Sequence, residues 1–87
     1  MVKEGNMKKI KNEKELLKKA IHFGMNYAQK RGVAKFEATD SQDAKVEYIY
    51  RLLVHDGVMQ PLAGDQENLP NIKHKLSIWM ARQLGEV

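Results

Sequence analysis

KVEYIYRLLVHDGVMQPL, from Lys45 to Leu62, is mostly apolar in its first half, and no one-sided pattern fits it. On a helical wheel at about 100° per residue, Val46, Tyr48, Ile49, Tyr50, Leu52, Leu53 and Val54 spread over an arc of about 240°. Only Glu47 and Arg51, one turn apart, mark a wet strip. A surface helix needs an apolar stripe of only about 100°. This helix must therefore be covered from two directions, which makes it the middle member of the fold. Asp56-Gly57 ends it, and Pro61 prevents easy continuation.

The flanking sequence supplies the cover. A first helix begins near Asn12, with Glu15 placed for a capping box. Its stripe is Leu16, Leu17, Ala20, Ile21, Gly24, Tyr27 and Ala28, and Lys30, Arg31 and Gly32 close it. Thr39 with Gln42 offers a capping box for the second helix, and Ser41 also reads as a capping residue. After a polar loop, Pro70 fits the first turn of a third helix whose stripe is Leu69, Ile72, Leu76, Trp79, Met80 and Leu84. The expected fold is all-α: a compact three-helix bundle with helix 2 flanked by helices 1 and 3, and room for a short fourth turn around Ala63 to Asn68. At 87 residues the chain makes one domain, 1–87, with 1–8 as a loose N-terminal extension.

Composition narrows the function classes. No apolar run is long enough to span a membrane, and the charged N-terminal stretch has no signal-peptide core. With no cysteine there is no disulfide or thiolate chemistry, and the expected location is cytoplasmic. Net charge is +4, but it is unevenly placed. Residues 1–35 carry ten Lys and Arg against three Glu, and residues 36–72 carry two against seven acids. That asymmetry suggests internal complementarity at least as much as a nucleic-acid partner.

No catalytic or metal-binding constellation emerges, and no cofactor or small-molecule substrate is implied. His22, His55 and His74 fall in three different elements without partners at metal-ligand spacing. His55-Asp56 superficially matches the paired ligands of an HD phosphohydrolase, but a histidine at a helix C-terminus explains it more simply. The glycines do not form a phosphate cradle. The expected function is a non-enzymatic helical interaction protein that binds a protein partner or a second copy of itself. Its candidate contact residues are Tyr48 and Tyr50, on opposite sides of helix 2, and Phe23 at the margin of its stripe. The alternative is nucleic-acid binding through Lys14, Lys18 and Lys19 on helix 1 with Lys75 and Arg82 on helix 3. Long gaps between the helices, the absence of a wing-like hairpin, and Asp65 and Glu67 ahead of helix 3 count against it.

Over KKIKNEKELLKKA (8–20), YAQKRGV (27–33), KVEYIYRLLVHDGVMQPLA (45–63) and NIKHKLSIWMARQL (71–84), the chain resembles an uncharacterised family of small gammaproteobacterial proteins, a domain of unknown function. The likeness runs from Met7 to Leu84. It implies relatives in marine bacteria, some carried as mobile integron cassettes. It implies no activity or ligand.

Overall fold

The computed structural model describes residues 10–35, 37 and 40–86. It has three helices, α1 (Glu13–Arg31), α2 (Gln42–His55) and α3 (Leu69–Gln83), and no strand among the described residues. The expected N-terminal extension and the Thr39 cap lie outside the described residues.

Each helix boundary has a local cause. Gly32 stops α1 in the left-handed conformation, its N–H donating to Gln29 O while Val33 N–H donates to Ala28 O. Ser41 caps α2, its Oγ accepting from the Ala44 N–H at 3.1 Å. Asn68 caps α3 in the same way through Asn71, and Pro70 stands in the first turn. The start of α1 differs from expectation. Asn12 is itself left-handed (φ 61) and its side chain makes no capping bond. A capping side chain reaches the free amides from an extended backbone, so Asn12 contributes only its carbonyl, which accepts from Leu16 N–H. The expected fourth turn is also not formed. Gly64-Asp65 make a plain turn, with Gly64 at φ 60, in a loop that otherwise stays open. α3 stops at Gln83, one residue short of Leu84, which leaves the stripe and is exposed.

Helix α2 is covered from two sides, as its wheel requires, and α1 and α3 pack on each other even more extensively, closing a triangle. Val46, Ile49, Tyr50 and Leu53 are fully buried. Each contributes about 1.5–3 kcal/mol before chain entropy is subtracted. The closest approach is at Gly24. Ala20, Gly24 and Ala28 form a row of small residues spaced four apart on α1, all buried, and Ile49 of α2 seats against its middle. A Cβ on Gly24 would lie under 3.0 Å from three side-chain atoms of Ile49.

Direction along the bundle follows from which residues meet. Lys18 and Ile21 line one cleft with Gln42 and Lys45. Gly24 meets Ile49, and Tyr27 and Arg31 meet Asp56. The contacts advance together, so α1 and α2 run in the same sense. Glu13 bonds His74 and Ser77, and Phe23 contacts Trp79, so α3 runs with α1 as well. Helices joined by short loops must be antiparallel neighbours. Here each connector travels back along the bundle, and each is fastened by a tyrosine of α2. Tyr48 donates its hydroxyl to the Val33 carbonyl in the first connector. Tyr50 accepts from the Leu62 N–H in the second at 2.8 Å. Met59 is buried, and Leu62 packs against the core.

Two substitutions test this packing. Gly24→Ala should gain about 1 kcal/mol of helix propensity, yet destabilise by about 1–3 kcal/mol net because the overpacked methyl has no space. Urea unfolding of the two proteins reads the sign, and a more stable alanine variant would mean that the α1–α2 contact is loose. Tyr50→Phe should cost about 1 kcal/mol by orphaning the Leu62 N–H, and should speed hydrogen exchange at Leu62 more than in α2.

Candidate protein-interaction site

Trp79 is nearly buried on α3, and its ring is met edge-on by Phe23 of α1 at 5.2 Å between centroids. Phe23 in turn stacks on Tyr27, one helical turn further, at 6.3 Å and 13°. The three rings form a ladder along the α1–α3 seam. Outside it lies an open groove of about 500 Å³, lined by Lys19, His22, Phe23, Asn26, Tyr27, Lys30, Met80 and Leu84. Among the described residues, the large hydrophobic side chains left exposed are Phe23 (39%), Val58 and Leu84 (46%). Two of the three line this one groove.

Of the residues expected to meet a protein partner, only Phe23 is placed to do so. Tyr50 is 1% exposed, with its hydroxyl turned to the Leu62 amide, and cannot contact anything outside the chain. Tyr48 is half-buried and fastened to Val33. Their positions on opposite sides of α2 suggest contact residues, but the sequence pattern does not show that the two connectors return to bond their hydroxyls. Leu84 was missed for the opposite reason: its spacing continues the α3 stripe, but the helix has already ended.

The basic residues of the nucleic-acid reading do not share one face. Lys18 borders the α1–α2 cleft and Lys19 the α1–α3 groove, on two sides of α1. Lys14 and Arg82 are exposed, and Lys75 is half-buried. Elsewhere charge is used inside the fold, as Lys73 of α3 pairs with Asp43 of α2 at 2.9 Å.

The Tyr27 end of the groove joins a second cluster. Asp56, the C-cap of α2, accepts from Arg31 Nε at 2.7 Å and Nη2 at 3.0 Å, and from the Tyr27 hydroxyl at 2.7 Å. His55 Nδ1 lies 3.1 Å from its other oxygen. An acid at a helix C-terminus opposes the helix dipole, and the two-pronged guanidinium offsets this. The Arg31 hydrogen bonds, then those of His55 and Tyr27, hold the Asp56 carboxyl well below the usual carboxylate range. The same contact with Asp56 raises the Tyr27 phenol. The carboxylate oxygens of His55-Asp56 are thus already engaged, and no group of three metal-ligating side chains gathers among the described residues.

A triangle of three packed helices, with no strand among the described residues, defines a small all-α domain. Its sequence matches the model of a domain of unknown function, DUF5062, over residues 9–86, and the chain belongs to that family. It is similar to a Vibrio vulnificus protein whose solution NMR structure superposes with a TM-score of 0.77 at 29% identity, over 95% of this chain and 94% of that one. No curated protein matches it. No helix among the described residues is long and apolar enough to cross a membrane.

Because folding lowers the Asp56 carboxyl, its stabilising effect is present above the ordinary carboxylate value of about 4 and is lost as pH falls below that, through the lower value of the folded state. The raised Tyr27 phenol acts in the opposite sense, its share fading as pH rises beyond about 10. Asp56→Asn is therefore expected to lower the melting temperature at neutral pH and to shrink the fall in stability below about pH 4. Circular-dichroism melts across pH read both effects. Parallel acid curves for the two proteins would show that another carboxylate governs the transition.

Proposed function

We propose that the chain is a non-enzymatic interaction protein that docks another protein in the α1–α3 groove. The observation that carries this is the convergence of Phe23 and Leu84, two of the three exposed large hydrophobics, on one concave seam. Phe23 is also pre-set. Trp79 and Tyr27 hold its ring on two sides, so a partner need not order it first. The clustered ionisable groups, Tyr27, Arg31 and Asp56, satisfy one another and tie two helix ends together, which is structural work rather than chemistry on a substrate.

Peptides selected from a display library on the wild-type protein test this reading. Their affinity should fall at least tenfold on Phe23→Ser and stay unchanged on Val58→Ser, with both variants helical by circular dichroism. Selected peptides indifferent to Phe23→Ser would sink the reading. Salt-sensitive binding of random duplex that is lost on Lys14→Gln/Lys18→Gln would replace it with nucleic-acid recognition.

A further inference from the structure

Taking docking in the α1–α3 groove as its premise, we infer that the groove receives an acidic amphipathic helix of a different protein, with an apolar side chain seated on Phe23 and Leu84 and carboxylates reaching Lys19 and Lys30. The residues lining the groove include two lysines and no carboxylate. Lys19 and Lys30 stand at its two ends on α1, and neither is paired with a described residue. This contrasts with Arg31 and Lys73, whose charges are matched at home. An apolar floor between two unmatched cations is complementary to an apolar stripe between two acids.

Length and shape fix the occupant further. Lys19 to Lys30 spans about 16 Å of helix, so a partner helix of about three turns places an acid at each end. A seam between two helices running in the same sense accepts a third helix along it, with anchors one turn apart. A second copy of the chain fits poorly. A two-fold dimer through this groove would set each lysine rim against its own image. It would also draw on only two exposed large hydrophobics, where a stable dimer buries about 800 Å² per partner.

The display experiment carries the test one step on. Peptides that depend on Phe23 should be enriched in Asp and Glu on both sides of an apolar pair. The best of them, made without tryptophan, should shift the fluorescence of the chain's one tryptophan, Trp79, whose ring lies against Phe23 of the groove. Its Glu→Gln version should bind at least tenfold more weakly, and Lys19→Gln/Lys30→Gln should abolish the difference between the two peptides. Phe23-dependent peptides that are neutral or basic, or Glu and Gln versions of equal affinity, would overturn the acidic partner while leaving the docking role intact. Loss of the Phe23 dependence itself would overturn the docking role. A concentration-dependent dimer by light scattering that Phe23→Ser dissolves would assign the groove to a second copy, and displacement of the peptide by anionic phosphatidylglycerol vesicles would assign it to a membrane surface.

Discussion

The seating of Ile49 against Gly24 is the contact on which the other distances depend. Glycine inside a helix costs about 1 kcal/mol relative to alanine, and α1 carries one in its middle, flanked at four-residue spacing by Ala20 and Ala28. The small row lets the α2 backbone come close enough for Ile49, a stiff branched side chain, to occupy the space a Cβ on Gly24 would take. With that spacing set, Tyr27 and Arg31, further along α1, meet Asp56 at the end of α2. On the far side, α3 closes the triangle with Leu76, Trp79 and Met80 against the same core.

The sense of the helices follows from the connectors as much as from the core. A same-sense arrangement is inaccessible to short loops, and the chain meets this with two long returns. A long polar connector lying free would add little but entropy cost. The two tyrosines of α2 resolve this by giving each return a fixed point, the first just past the end of α1 and the second near the middle of its connector, and Met59 adds an apolar one to the second. Tyr27 serves twice, its ring in the groove and its hydroxyl on Asp56, so the groove and the joint between helix ends share a side chain.

Most of the fold could be read from the sequence because it rests on periodicity. The 240° arc of α2 demanded cover from two sides, and the stripe of α1 contains every buried residue of that helix, with Ile21 and Tyr27 half-buried at its edges. What escaped were features set by backbone geometry. Asn12 reads as a cap, yet a left-handed backbone turns its side chain away. Leu84 fits the α3 spacing but falls past the last turn. Gly24 reads as one more small stripe residue, and nothing short of coordinates shows Ile49 above it. The candidate site was legible in part. Phe23 stood out at a stripe margin, whereas the fate of Tyr48 and Tyr50 depended on where two loops return, which no local pattern encodes.

Because α1 starts at one pole and α3 finishes at the other, tension between Ile10 and Glu86 would act along the helix axes. An antiparallel hairpin pulled from its ends opens like a zipper, one contact after another. In this topology the same pull must slide whole helix faces past each other. Such sliding would force the branched side chain of Ile49 out of its niche at Gly24 and toward the methyl of Ala20 or Ala28. The bundle is thereby built to resist stretching by shear.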